Sequence, residues 1–362
     1  MSINDIIIYI MVVFMAVGVI DKILGNKFGF GEKFEEGIMA MGTLTLSMVG
    51  IISLAPVLAK LLNPVVVPLY KVLGADPAMF AGTLLACDMG GYPLAQQLAE
   101  DPALIPFAGL ILGSMMGATI VFTIPVGLGI IQKDDQKFLA KGVLAGIITI
   151  PIGSFVGGLL TGLSAIIVFK NLIPIIIVAV LIALGLKFIP SKMITGFIYF
   201  GRFVTAMSLV GLASIIIETL TGVVIIPGLA PLSDGVSVVG AIAIVLAGAY
   251  PLVHFITKVF KNPLMKVGSL LGMGEVAAAG MVATLANNIP MFGMLKDMDD
   301  RGKVINVAFS VSAAFVFGDH LGFVAGVDKN TITAMIVGKL VAGITAVAVA
   351  CLITTKSKTL NK

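Results

Sequence analysis

Long apolar runs separated by short charged loops dominate the chain. The runs continuous enough to be plain membrane-spanning helices lie at 3–20, 38–62, 105–131, 141–164, 168–186, 193–218, 238–258, 304–325 and 331–354. Each has about the 20 residues that an α-helix needs to cross ~30 Å of hydrocarbon. Apolar and polar residues do not alternate with a period of two, so the pattern predicts an all-α polytopic membrane protein.

Two further segments, 76–97 and 276–295, are less regular. Each is interrupted by glycine, proline or asparagine and carries polar residues near its centre. The residues predicted to break these helices are Gly90, Gly91, Pro93 and Pro290. If both segments are counted as broken or re-entrant pieces, the sequence predicts about nine to eleven membrane helices.

The two halves of the chain resemble each other in sequence. At offsets of 195 to 198 residues, the matched pairs are Pro56 with Pro251, Pro68 with Pro263, Pro93 with Pro290, and Ser114 with Ser312. A coherent series of matches indicates an internal duplication. We therefore predict a single membrane transport domain over residues 1–362, with repeats at about 1–164 and 193–354 joined by a connecting helix at about 168–186.

The basic residues of the loops predict the topology. If segments 76–97 and 276–295 both crossed the membrane, the two sides would carry similar positive charge. If each enters and leaves on one side, most basic loop residues and the "KSKTLNK" tail lie inside, and the outer set is reduced to Lys60, Lys71, Lys170 and Lys329. The positive-inside rule favours this second arrangement, which has nine crossings and an external N-terminus. The repeats are then inverted, as is typical of secondary transporters and facilitators.

Polar side chains inside the apolar segments are the candidate substrate site, since a charge at mid-bilayer costs about 2.5–3.5 kcal/mol on insertion scales. Asp88, in "CDMGG", is predicted to be the counter-charge of a cationic substrate or ion. The alternative is a hydrogen-bonded carboxyl that fixes a helix break. Asn287 and Asn288, in "LANNIPMFG", are predicted to face the substrate, or else to satisfy backbone groups freed by Pro290.

Further candidates follow along the chain. Asp319 and His320, in "FGDHLGF", are either a second carboxylate with a proton relay or an internal pair that holds helices together. Glu36 opens the second span, as an entrance residue or as an acid favoured by the helix dipole. Tyr92 is predicted to contact an ammonium group through its ring, or to pack among apolar residues. Lys339 lies within a span, where snorkelling or an internal ion pair is expected.

Composition and motifs exclude several classes of function. With 59% hydrophobic and only 12% charged residues, the chain is unlike soluble domains, which have roughly 25% charged residues. Enzyme motifs and metal-spaced cysteine and histidine clusters are missing, so no metal or cofactor is predicted. Basic clusters with interleaved aromatics are missing too, so no nucleic-acid partner is predicted. An intramembrane aspartyl protease built on Asp88 and Asp319 is a remote alternative, because Val316 stands where the G-x-G-D motif requires glycine.

Several stretches resemble the EutH family, the ethanolamine-utilisation transport proteins of bacteria. They include "FEEGIMAMG", "AGTLLACDMGGY", "AAAGMVATLANNIPMFGM" and "VSAAFVFGDHLGF", and the resemblance covers nearly the whole chain. It implies uptake of ethanolamine across the bacterial inner membrane to feed catabolism. Ethanolamine is mostly protonated at pH 7, so a carboxylate such as Asp88 suits its ammonium group, and Asn287 with Asn288 suit its hydroxyl.

Two transport mechanisms remain open from the sequence. A facilitator would let the cation run down its gradient, and a carrier coupled to H⁺ or Na⁺ would use Asp319 and His320 as coupling groups. Few ionisable groups lie within the spans, which favours facilitated diffusion. A homo-oligomer is also left open, because a glycine-rich face at 153–162 could pack within one protomer or between protomers.

Overall fold

Helices make up all of the regular structure in the part of the chain that the structure describes. The computed structural model describes residues 2–354, apart from the side chains of residues 260, 261 and 264. Within these residues, eight helices are long and apolar enough to cross a membrane: Ile3–Ile23, Phe30–Val72, Pro102–Ile130, Lys133–Leu160, Ala165–Phe188, Pro190–Thr221, Leu232–Val259 and Lys329–Ile353. They coincide with eight of the nine predicted plain spans and confirm an all-α polytopic membrane protein. The C-terminal tail that was predicted to lie inside falls outside the described residues.

The first half begins with one membrane-length helix and a much longer helical rod. Helix α1 (Ile3–Ile23) starts at a capping box, in which Ser2 Oγ accepts from the Asp5 N–H at 3.1 Å and the Asp5 carboxylate accepts from the Ser2 N–H at 2.9 Å. Helix α2 (Phe30–Leu44) continues through a wide π-type turn into α3 (Gly50–Val72). This rod extends ten residues past the predicted end of its span, at residue 62, and its prolines do not end it.

A helical hairpin follows, which we call hairpin 1 (residues 76–101). It consists of α4 (Ala78–Leu84), a π-type turn (Cys87–Gly91) and α5 (Tyr92–Leu98). The Asp76 carboxylate accepts from the N–H groups of Ala78, Glu100 and Asp101, at 2.8, 3.1 and 2.9 Å. These bonds hold the first and last residues of the hairpin together, so the segment enters and leaves at one end of the bundle, as the charge pattern predicts.

The rest of the first half packs around hairpin 1. Residues 102–130 form a buried helix with wide turns of π type over Pro106–Gly117 and Thr119–Thr123, which ends in α6 (Ile124–Ile130). Gly117 allows the Leu85 carbonyl to approach this helix, because a side chain there would collide with the Leu85 oxygen. The remaining helices are α7 (Gln136–Ile147), α8 (Ile150–Leu160) and the connector α9 (Ala165–Phe188).

The second half repeats the order of elements of the first. The elements are α10 (Pro190–Thr221), the 39-residue α11 (Leu232–Leu270), α12 (Glu275–Ala286), α13 (Asn288–Met294), α14 (Asp300–Ala313), α15 (Asp319–Val327) and α16 (Ile332–Ile353). We call residues 274–299 hairpin 2. The Asp299 carboxylate accepts from the N–H groups of Gly274 and Gly302, both at 2.8 Å, and so joins its two ends. The internal duplication and the inverted relation of the halves both stay predictions.

The predicted plain span at 304–325 is wrong in one respect, because the helix is broken between α14 and α15. The N–H groups of Phe315 and Phe317 turn away from their own helix and donate to the carbonyls of Thr284 and Leu285, at 3.1 and 3.0 Å. Phe315 adopts a φ of 62°, in the left-handed region that bulky residues rarely enter. Bonds to hairpin 2 therefore stabilise a break that the continuous apolar pattern of the sequence conceals.

Contacts between helix ends divide those ends into two sets. At one end, Asn4 Oδ1 accepts from the Thr333 N–H at 2.9 Å, at the start of α16. At the other end, Arg301 Nη1 donates to the Thr354 carbonyl at 2.6 Å, just after α16, and Lys303 pairs with Asp135 at 2.6 Å. The sets agree with the predicted outer and inner loops. If hairpins 1 and 2 crossed the membrane, Lys303 and Asp135 would lie on opposite sides of it and could not pair.

Candidate functional site

The breaks of hairpin 1 and of the α14–α15 segment meet at a small cavity, which we call the central cavity. Its volume is about 40 Å³, and its lining residues are Ala86, Asp88, Met89, Ala118, Phe122, Phe315, Asp319 and His320. A water-sized group needs roughly 10–15 Å³ on this measure, so the cavity accommodates about three such groups. Its walls are apolar except for two carboxylates and one imidazole.

Hairpin 1 breaks earlier than the sequence suggests. Leu85 and Ala86 are extended, with ψ angles of 139° and 149°, so α4 ends before Asp88. Gly90 turns the chain back with a φ of 100°, which favours glycine. Pro93 lies in the first turn of α5, where a missing N–H costs no hydrogen bond. The break therefore comes from the extended pair, and the downstream glycine and proline restart the helix.

Two carboxylates face the central cavity from different halves of the chain. Asp88 and Asp319 are each partly buried; Asp88 lies in the π-type turn of hairpin 1, and Asp319 is the first residue of α15, where the helix dipole favours negative charge. The Tyr250 hydroxyl donates to Asp319 Oδ1. The Cys87 thiol lies 4.0 Å from Asp88 Oδ1. The structure thus brings together Asp88 and Asp319, which lie more than 200 residues apart in the sequence.

Asp319 is the meeting point of the central cavity and two larger clefts. The Asn287 cleft, of about 410 Å³, is lined by Lys33, Glu36, Tyr250, Val253, His254, Thr257, Ala283, Ala286, Asn287, Pro290 and Asp319. The Arg202 cleft, of about 750 Å³, lies between α2, α6 and α10 and reaches Asp88, Asp319 and Arg202. Both carboxylates are therefore accessible from outside the helix bundle.

A buried lysine stands behind the central cavity. Lys339 of α16 is fully buried, at 0% exposure, and its Nζ lies 2.5 Å from the Ser114 carbonyl and 3.0 Å from His320 Nδ1. The sequence predicted snorkelling or an ion pair for this residue. Snorkelling is wrong, and none of the four ion pairs among the described residues includes Lys339.

The two asparagine side chains of hairpin 2 bond within the protein, whereas the Asp88 carboxylate of hairpin 1 faces the central cavity. Asn287 lines the Asn287 cleft, but its Oδ1 accepts from the Ile289 N–H at 2.8 Å and caps α13. Asn288 is fully buried, and its Nδ2 donates to Thr123 Oγ1 at 3.2 Å. Pro290 lies in the first turn of α13, as Pro93 does in α5. Neither amide lines the central cavity.

Glu36 and Tyr92 lie away from the central cavity. Glu36 is exposed at the mouth of the Asn287 cleft, where it pairs with Lys33 at 2.7 Å. Tyr92 lines a separate cleft of about 340 Å³, which we call the Tyr92 cleft, and its ring packs edge-to-face on Phe323 at 6.0 Å between centroids. Among the described residues, the linings of the Tyr92 cleft and the central cavity have no residue in common.

Comparison with known proteins identifies the family. Residues 3–353 match the family described as "Ethanolamine utilisation protein, EutH". The chain belongs to the EutH family. A relative from Listeria monocytogenes, named "Probable ethanolamine permease EutH", is 67% identical over 100% of this chain and 97% of its own length. The protein of that name from Salmonella typhimurium is 53% identical over 98% of this chain and 97% of its own. "Uncharacterized protein YxeR" of Bacillus subtilis is 51% identical, over 98% and 96%. No solved structure matches the chain.

One side-chain cluster in this EutH protein has the composition of a metal site. Ligand atoms of Cys87, Asp88 and His320 lie within 4.8 Å of one another. The Lys339 ammonium, however, lies 3.0 Å from His320 Nδ1 and places a positive charge beside the cluster. With Asp88 and Asp319 ionised and Lys339 protonated, the three formal charges sum to −1. This balance suits one monovalent cation better than a divalent metal.

Sequence reasoning missed two members of this EutH site, Tyr250 and Lys339. The sequence analysis assigned no role to Tyr250, and only the packing of α11 against α15 brings its hydroxyl to Asp319. Lys339 carried a readable signal, because a lysine eight residues into a 22-residue apolar helix is too far from either end to snorkel easily. Its partners, Ser114 and His320, could not be read from the sequence.

Proposed function

We propose that this protein carries ethanolamine, as its ammonium cation, across the bacterial plasma membrane by facilitated diffusion. The observation that carries the proposal is the pair Asp88 and Asp319, which line one cavity of about 40 Å³. Ethanolamine has four non-hydrogen atoms and one positive charge at pH 7. The relatives that are 67% and 53% identical are both named "Probable ethanolamine permease EutH", which supports this substrate.

Charge balance supports binding of a single cation. The formal charges of Asp88, Asp319 and Lys339 sum to −1, and one ethanolammonium ion brings the site to neutrality. Two carboxylates without a bound cation would be costly in an apolar surrounding, since buried charges need partners. We infer that the ammonium group lies between the two carboxylates. Tyr250 donates to Asp319 and keeps that carboxylate oriented toward the cavity.

The clefts suggest a carrier rather than an open pore. The Asn287 cleft reaches Asp319 from the end that holds Lys33 and His254, which is the predicted inner side. The Tyr92 cleft lies toward the predicted outer side, and both rings of the Tyr92–Phe323 pair line it. We infer that the site in this conformation faces inward, and that movement of the ring pair opens it outward. Broken segments that meet at mid-membrane are typical of such carriers.

Proton coupling is the second candidate mechanism, and the buried His320–Lys339 contact is the observation that favours it. A histidine beside two carboxylates could exchange a proton with the transported cation. Facilitated diffusion remains the first proposal, because the positive charge of Lys339 already has a role in the site: it balances one of the two carboxylates. We assign the two carboxylates to cation binding and not to catalysis, because the relatives are named as probable permeases.

Uptake into proteoliposomes that contain only this protein tests the function. We expect radiolabelled ethanolamine to equilibrate across the membrane, and the final level to be unchanged by an imposed pH or Na⁺ gradient. Accumulation above equilibrium that depends on either gradient would replace facilitated diffusion by coupled transport. No uptake above that of protein-free liposomes, with folded protein in the membrane, would overturn the function itself.

A further inference from the structure

When Lys339 carries its ammonium form, its contact with His320 fixes which nitrogen of that ring carries the proton. A lysine ammonium has three donors and no acceptor. Lys339 Nζ has two neighbours that can accept, the Ser114 carbonyl at 2.5 Å and His320 Nδ1 at 3.0 Å. If Nδ1 accepts from Lys339, it holds a lone pair, and the neutral ring must carry its hydrogen on Nε2.

This tautomer gives the central cavity a hydrogen-bond donor. His320 lines the cavity and is only 3% exposed, so its polar atoms need partners inside the protein or on a ligand. With Nδ1 engaged by Lys339, the N–H at Nε2 is the ring's remaining polar group. The other polar side chains of the lining are the carboxylates Asp88 and Asp319, which only accept hydrogen bonds when ionised.

Ethanolamine needs both kinds of partner. Its ammonium group donates only, and the two carboxylates suit it. Its hydroxyl oxygen can accept a hydrogen bond, and the lining side chain able to donate one is His320. Asn287 and Asn288, which the sequence suggested for the hydroxyl, lie outside the lining.

We propose that His320 Nε2–H binds the substrate hydroxyl, and that Lys339 is a positioning residue that fixes the tautomer of His320 for this contact. The proposal rests on the proposed transport of ethanolamine. It makes His320 the residue by which the site distinguishes a 2-hydroxy amine from an alkyl amine of similar size. The discrimination has a physical basis, because ethylamine would leave the buried N–H of His320 without a partner.

Competition experiments test the selectivity. Unlabelled ethylamine and ethanolamine compete with labelled ethanolamine for uptake, and the ratio of their inhibitory concentrations measures the discrimination. In the natural protein we expect a ratio of at least about tenfold, as a buried hydrogen bond of ordinary strength provides. His320→Phe and Lys339→Met should both bring the ratio close to one. Lys339→Gln, whose amide can still donate to Nδ1, should preserve much of it.

His254→Gln is the matched control, since His254 lines the Asn287 cleft and contacts the Phe28 carbonyl instead of the central cavity. Its selectivity ratio should equal that of the natural protein. An unchanged ratio in His320→Phe would overturn the proposal while leaving ethanolamine transport intact. Absence of ethanolamine uptake in the natural protein would overturn the proposed function instead, so the two failures are distinguishable.

A spectroscopic test of the His320 tautomer uses the natural protein, so it does not depend on whether a variant of the site folds. The chain contains two histidines, so ¹⁵N-histidine labelling yields two imidazole spin systems, and His254→Gln assigns them. The ¹⁵N shifts of protonated and unprotonated ring nitrogens differ, and we expect His320 to show the Nε2–H form. In folded Lys339→Met the two tautomers should become mixed. An Nδ1–H signal from His320 in the natural protein would overturn the proposal outright.

Discussion

Hairpin 1 and hairpin 2 share one plan and differ in chemistry. Each consists of two short helices around an extended break, has a proline in the first turn of its second helix, and is closed by an aspartate at its ends. Hairpin 1 brings Asp88 to the central cavity. Hairpin 2 brings no carboxylate there, and the second one, Asp319, comes from the break that follows hairpin 2.

The difference follows from how each break satisfies its backbone. In hairpin 1 the Ala86 carbonyl accepts from the N–H groups of Met89 and Gly91, at 3.0 and 2.8 Å, so the chain caps itself and the Asp88 side chain is free for a ligand. In hairpin 2 the Asn287 side chain caps α13. A polar residue at a break is thus available to a substrate only where the backbone has other partners.

The largest effect on uptake is expected for the two carboxylates of the central cavity. It tests whether Asp88 and Asp319 contribute equally to cation binding although they lie in different elements. Asp88→Asn and Asp319→Asn should each lower ethanolamine uptake by about 100-fold, because loss of one partner of a buried charge contact costs about 3 kcal/mol or more. Initial rates in proteoliposomes with matched protein content measure this. Asp134→Asn, at an exposed loop position, is the control and should behave like the natural protein. A normal rate for either cavity variant would remove that carboxylate from the site.

A second comparison concerns the aspartates that close the hairpins. Asp76 is buried and accepts three backbone N–H groups, while Asp299 accepts two and is only half-buried. Asp76→Ala should therefore lower the free energy of unfolding by about 3 kcal/mol, and Asp299→Ala by about 1 kcal/mol. Thermal unfolding of the detergent-solubilised protein measures both effects. A larger loss for Asp299→Ala would show that hairpin 2 depends more on its closing aspartate.

The smallest effects are expected for the two amides of hairpin 2. Asn287→Ala removes a helix cap and a polar part of the cleft wall, so uptake should fall a few-fold, with a stability loss of about 1 kcal/mol. Asn288→Ala removes one hydrogen bond of 3.2 Å to Thr123 and should change uptake by less than about twofold. The same initial-rate measurement applies. A loss as large as that of Asp88→Asn would restore the amides as substrate ligands.

Much of the membrane architecture was readable from the sequence because its causes are local or additive. Apolar length predicts helices, and eight of the nine predicted plain spans correspond to long apolar helices. The distribution of lysines favoured re-entrant segments, and the bonds of Asp76 and Asp299 join the ends of both. The third break was missed because Phe315 and Phe317 are apolar, and hydrogen bonds to a distant hairpin hold the turn open.

The sequence by itself determined that this is an all-helical membrane protein of the EutH family with acidic residues deep in apolar segments. Hydropathy and motif content need no knowledge of distant contacts, so they can be read along the chain. Only the tertiary structure decided that Asp88, Asp319 and His320 line one cavity, that Lys339 lies behind it, and that Asn288 does not reach it. Those relations depend on how breaks in separate elements pack together, and one-dimensional spacing does not encode them.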